Sequence, residues 1–159
     1  MKIKKVSQNN RKKAFEVATY SKVYLFPYAK LEIPPSRENP ITRVYVDKEL
    51  DKEAFTYELK SGDEGTVHID HVLEYNRDPR YMRDLLLYKL TLAAQDRVEE
   101  SSLSKRELIR RLGTSPAQFY RLLDQTNYTK SIDQLMALLH ILDCDVDLVV
   151  KKNRLRKAV

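Results

Sequence analysis

Between Leu103 and Leu142, three serines, each followed three residues later by Glu or Gln, constrain this chain more than any other feature: Ser104/Glu107, Ser115/Gln118 and Ser131/Gln134. Each pair has the spacing of a capping box. The Ser oxygen takes an orphan amide of the first helical turn and the Glu or Gln side chain reaches back. Apolar residues follow each box at helical spacing: Leu108, Ile109 and Leu112, then Phe119, Leu122 and Leu123, then Leu135, Leu138, Leu139 and Leu142. The series predicts three short helices with tight joints between Leu103 and Leu142. Gly113 stands just past the first of them, where a helix end calls for a positive φ.

Short capped helices joined this tightly make a helix-turn-helix. The run SKRELIRRLGTSPAQFYRLLD followed by SIDQLMALLHILDCDVDLVV resembles the lambda-repressor-like domain of phage repressors. It is also similar to the helix-turn-helix antitoxins of bacterial toxin–antitoxin pairs. The resemblance covers about residues 81–150. It implies a bacterial transcription regulator, a repressor that binds double-stranded DNA as a homodimer on a two-fold operator. An antitoxin-like member would also hold a toxin protein, here on the N-terminal half.

On a helical wheel, Phe119, Leu122 and Leu123 share the core face of the second capped helix. Ala117, Arg121 and Asp124 lie opposite, flanked by Gln118 and Tyr120. The N-terminal part of such a helix enters the major groove. Arg121 can donate two bonds to guanine, Gln118 can pair with adenine, and Ala117 can meet a thymine methyl. These three are the expected base contacts. Ser115 and Tyr120 are expected on phosphates. So are Ser104, Lys105 and Arg106 at the start of the first capped helix, where the amide dipoles favour an anion. Ser104 and Lys105 match positions at which the resembled repressors hold the DNA backbone. Tyr128 and Lys130, in the loop after the recognition helix, complete the phosphate set. Pro116 and Ala117 offer no polar group at the first two helical positions. That gives an alternative: a protein-interaction module on a helix-turn-helix frame.

The charge distribution bears on this choice. The net charge is +6; residues 1–78 carry +1 of it and residues 79–159 carry +5. The excess therefore lies in the half with the capped helices, as a phosphate-binding surface requires. After the last capped helix, Lys151, Lys152, Arg154, Arg156 and Lys157 follow as a basic tail, and these five cations equal that +5.

The first half reads differently. Residues 1–13 are polar and basic, either loose or a first edge strand. Ala14–Tyr20 alternates, Val23–Phe26 is β-branched and aromatic, and Thr42–Val46 is a third strand. Between them Pro34, Pro35 and Pro40 mark a loop. Phe55, Tyr57 and Leu59 alternate with polar residues, as do Val67 and Ile69 after the loop Ser61–Gly65, which predicts a hairpin. Tyr75–Pro79 is a hinge. Pro79 suits a first helical position with Asp78 as its cap, and the helix runs to about Glu100. Its apolar stripe is expected through Tyr81, Leu85, Tyr88 and Leu92, with Met82, Leu86, Leu90 and Ala93 beside them. After the last capped helix, Val146–Val150 reads as a strand.

The fold class expected is α+β. A small antiparallel sheet of four or five strands occupies residues 1–76. An all-α helix-turn-helix domain with a C-terminal strand occupies residues 77–159. No Gly-rich phosphate loop, nucleophile motif or paired-carboxylate pattern points to an enzyme, and no cofactor is expected. His68, Asp70 and His71 lack a further ligand at metal spacing, so no metal site is expected. Cys144 is the only cysteine, which excludes an intrachain disulfide and suits a buried, inert thiol. No apolar run approaches the roughly 18 residues of a membrane span. The basic start has no apolar stretch after it, and a cytoplasmic location is expected.

Overall fold

The computed structural model describes residues 1–152. The chain forms two compact units, Met1–Arg83 and a second from Asp84 onward.

The first unit holds six strands: β1 (Ile3–Asn9), β2 (Ala14–Thr19), β3 (Val23–Pro27), β4 (Ile41–Asp47), β5 (Ala54–Leu59) and β6 (Glu64–His68). They form two antiparallel sheets of three strands, ordered β1-β2-β3 and β4-β5-β6, not the single sheet expected from the sequence. The break falls at the proline loop. Proline offers no amide to a ladder, so the chain leaves β3 and starts a new sheet at β4. Each sheet is a meander with an irregular register near the start of its first strand, between Ile3 and Lys5 and between Ile41 and Arg43. The plan repeats although no sequence repeat is visible. The sheets meet at β1, where the Ile3 amide donates to the Lys52 carbonyl at 2.7 Å.

The central strands β2 and β5 supply the middle of the core. Phe15 is fully buried, with its ring edge-on to Phe55 and to Tyr28, centroids 5.0 Å apart in both cases. Burying one such ring contributes about 2–3 kcal/mol. The hairpin loop is shorter than Ser61–Gly65, because β6 already begins at Glu64. Gly65 lies in that strand, where a Cβ would overlap the Tyr57 ring. Tyr57 cannot yield, since its hydroxyl donates to the Ile33 carbonyl at 3.0 Å and accepts the Ile33 amide.

β6 stops at His68, and a helix follows where the sequence suggested a longer strand. This is α1 (Ile69–Asn76). His68 ends the ladder by turning its Nδ1 onto the Asp70 amide at 3.2 Å, as an N-cap does. Ile69, Val72 and Leu73 then bury one face. Among the described residues no group of three or more His, Cys, Asp or Glu is placed to hold a metal ion.

α2 (Pro79–Glu100) begins as expected, with the Asp78 carboxylate accepting the Tyr81 amide at 3.2 Å. Asp78 is buried and also accepts from the Tyr24 hydroxyl at 2.9 Å and the Lys22 ammonium at 3.1 Å. From Asp84 onward the helix belongs to the second unit. There the buried stripe is Leu87, Thr91, Ala94 and Val98, not the stripe expected, and Leu86 and Tyr88 are exposed. Three consecutive leucines leave the phase of the stripe open. Packing fixes it, and the Thr91 hydroxyl joins the core by donating to the Leu87 carbonyl at 2.7 Å.

The remaining helices are α3 (Lys105–Leu112), α4 (Pro116–Leu122) and α5 (Ile132–Ile141). Their core is Leu108, Phe119, Leu122, Leu135, Leu138 and Leu139, packed with Leu87, Ala94 and Val98. Cys144 is half-buried against this core, and its thiol points at the Leu142 carbonyl. The expected strand Val146–Val150 is not formed. Among the described residues it has no ladder partner, and Leu148, Val149 and Val150 are exposed. In the basic tail, Lys151 and Lys152 are exposed, whereas Arg154, Arg156 and Lys157 lie outside the described residues. No described helix is long and apolar enough to cross a membrane.

The Asp78 cluster gives a pH dependence. Burial pushes its carboxyl up, but the Tyr81 amide, Lys22 and Tyr24 together hold it below the ordinary value. Burial and the Asp78 hydrogen bond push the Tyr24 hydroxyl up to about 12. A carboxylate with a lowered folded-state pKa stabilises the fold fully above its unfolded pKa and loses that contribution as pH falls through the folded value. Asp78→Asn is therefore expected to be less stable than the parent chain at pH 7. Urea unfolding should show that gap closing as pH falls below about 4.

Candidate nucleic-acid interface

The three serines cap as their spacing demands. Ser104, Ser115 and Ser131 accept the amides of Glu107, Gln118 and Gln134 at 3.2, 3.2 and 3.4 Å. The returning half of each box is not made. Glu107 turns instead to Arg110 and Arg111, at 2.5 and 2.9 Å. These two guanidinium groups pull its carboxyl down to about 2. Among the described residues the Gln118 side chain has no hydrogen-bond partner. Gly113 takes the positive φ of 69° that separates α3 from α4.

α4 buries Phe119 and Leu122 and exposes Pro116, Ala117, Gln118, Tyr120 and Arg121. The expected face is thus the outward one. The Arg121 guanidinium is likewise without an ion pair or hydrogen bond among the described residues. Asp124 lies beyond the helix, where its carboxylate accepts the Thr126 amide and hydroxyl at 2.9 and 2.7 Å. Asn127 repeats this turn with Thr129.

The end of α4 is held by polar side chains. Gln95 donates to the Leu123 carbonyl at 2.6 Å and Asn127 to the Arg121 carbonyl at 3.3 Å. Lys130, expected on a phosphate, points its ammonium at the Leu122 and Asp124 carbonyls, at 2.9 and 2.6 Å. Burial pushes the Lys130 ammonium down, against the pull of Asp124. In this arrangement it acts as a cationic cap on a helix C-terminus. Gln118, Arg121 and Lys130 border one shallow cleft of about 220 Å³, together with Asn127 and Gln134. The start of α5 thus stands next to the face of α4. Sequence reasoning placed none of Gln95, Asn127 and Gln134 at this site, and used Gln134 only as the partner of a capping Ser. The repeated Asp-x-Thr and Asn-x-Thr spacing marked the turn that places Asn127.

The other expected contacts are distributed around this face. Ser104 and Ser115 have their oxygens on helix amides. Lys105 and Arg106 are exposed on the first turn of α3, with Lys105 3.4 Å from Glu99. Both partners of that pair are solvated, so it is worth little and exchanges readily. Tyr120 is exposed with its ring edge-on to Phe119, and Tyr128 is exposed in the following loop.

A family comparison bears directly on this geometry. Residues 96–148 match the family model of the Cro/C1-type HTH DNA-binding domain. The match spans the end of α2 and all of α3, α4 and α5. No curated protein and no solved structure matches the chain.

Lys130→Met removes the cation from two carbonyls while keeping much of the aliphatic stem. It is expected to cost about 1 kcal/mol of stability. Hydrogen exchange should quicken at the amides of Phe119–Leu123 and stay unchanged in the strands of the first unit.

Proposed function

We propose that this chain is a sequence-specific DNA-binding transcription regulator that represses as a homodimer on a two-fold operator. One observation carries the reading. Gln118 and Arg121, the residues suited to base edges, stand exposed and, among the described residues, unpartnered on a capped α4 inside a matched DNA-binding domain. Ala117 joins them as an apolar contact. Ser104, Lys105, Arg106, Ser115, Tyr120 and Tyr128 fit phosphate contacts around that face. Lys130 serves the interface by fixing α4. Val146–Val150, exposed and without a strand partner among the described residues, is the segment assigned to pairing with the same segment of a second copy. In an antitoxin-like autorepressor the first unit would hold the toxin. A bacterial cytoplasm is the compartment that fits this role.

A second reading is a protein-interaction module on the same frame. It is favoured by the apolar start of α4 at Pro116–Ala117.

Selection from a random duplex pool, followed by binding to the recovered site as salt is raised, separates the two. A regulator loses affinity steeply with salt, because phosphate contacts release counterions. Arg121→Ala should relax preference at about one base position by roughly 1–3 kcal/mol. Lys105→Ala should weaken all sequences alike and lower the salt slope by about one. A selection that enriches no sequence, with binding insensitive to both substitutions, supports the interaction module instead.

A further inference from the structure

The first unit contains a cleft of about 910 Å³ between the β1–β2 turn, the short 3-10 helix Tyr28–Lys30 and the proline loop. Pro27, Pro34, Pro35 and Pro40 stand in its wall, with Tyr28 and Ile41. Three cations, Lys12, Lys13 and Arg37, stand at it, and no carboxylate lines it. Lys12 reaches Glu16 only at 3.9 Å, and neither Lys13 nor Arg37 has an ion pair among the described residues. The cleft is held open by bonds behind its wall. The Tyr28 hydroxyl donates to Asn10 at 2.9 Å and the Tyr28 amide to the Lys13 carbonyl at 2.9 Å. On the other side Asn39 accepts the Ser61 amide at 2.8 Å and donates to the Ser61 hydroxyl at 3.1 Å.

We infer that this cleft binds a small organic anion, an apolar body carrying a carboxylate, sulfonate or phosphate group. Three features argue for that occupant. The volume falls within the range of small-molecule sites. The four proline rings give an apolar wall with fixed φ and no amide donors, which suits a hydrocarbon surface more than an extended peptide seeking ladder bonds. The three cations leave a positive charge that a single acidic group complements. None of this depends on the DNA-binding reading, because every residue involved lies within Met1–Arg83.

The test uses the full chain and 8-anilinonaphthalene-1-sulfonate as the probe, with N-phenyl-1-naphthylamine as its uncharged counterpart and an octaglutamate peptide as a polyanion. The sulfonate should bind one per chain, and its amide shifts should concentrate at residues 10–13, 28–29 and 36–41. The double variant Lys13→Asn, Arg37→Gln should bind it roughly tenfold more weakly, about fivefold or less for each solvated charge removed. Asn suits position 13 because φ there is 50°. The uncharged probe should bind more weakly than the sulfonate and not respond to the substitutions. Unchanged affinity in a double variant with a native circular dichroism spectrum would overturn the inference. So would shifts centred on Val146–Val150, or octaglutamate binding that excludes the sulfonate with higher affinity.

Discussion

A helix of seven residues does not hold itself together in water, since its nucleation cost exceeds the bonds it can form. α4 persists because both of its ends are fixed from outside. At the start, the Ser115 oxygen takes an orphan amide and Pro116 presets φ. At the end, Gln95, Asn127 and Lys130 take the carbonyls of residues 121–124. Phe119 and Leu122 anchor the middle in the core. With the backbone held in three places, the side chains of Gln118 and Arg121 project from a rigid base. Rigidity of this kind lowers the ordering cost of binding.

The same region divides its cations by task. Lys130 is turned inward and stabilises a helix end. Arg110 and Arg111 share Glu107, which leaves the three groups one net positive charge. Lys105 sits in a loose, solvated pair with Glu99. Arg106 and Arg121 are left without partners among the described residues. Residues 105–122, with five Lys/Arg against Glu107, carry +4 of their own. Docking on a phosphate backbone would draw on helix amides and on these cations together.

The sequence made the capped helices legible because Ser at an N-cap, Gly at positive φ and leucines at helical spacing are local signals. It made the outward face of α4 legible for the same reason. Other features are set by contacts distant in the chain. Whether six strands form one sheet or two was decided by the proline loop and by the junction of Ile3 with Lys52. α1 stayed hidden because Val67 and Ile69 continue a strand alternation until His68 caps a helix. The stripe of α2 was ambiguous because apolar residues surround that helix. Lys130 read as a phosphate contact, and only the approach of the Leu122 and Asp124 carbonyls shows its use as a helix cap. Val146–Val150 has strand composition, but a strand also needs an edge to pair with.

The central claim is that α4 presents its Gln118/Arg121 face to DNA. An amide-resolved NMR titration of the full chain with a duplex recovered by selection tests it most directly. Binding through this face predicts the largest shifts at Ser115–Arg121 and at Ser104–Arg106, with Phe119 responding less than its exposed neighbours. Largest shifts within Met1–Arg83, with the amides of α4 unmoved, would contradict it.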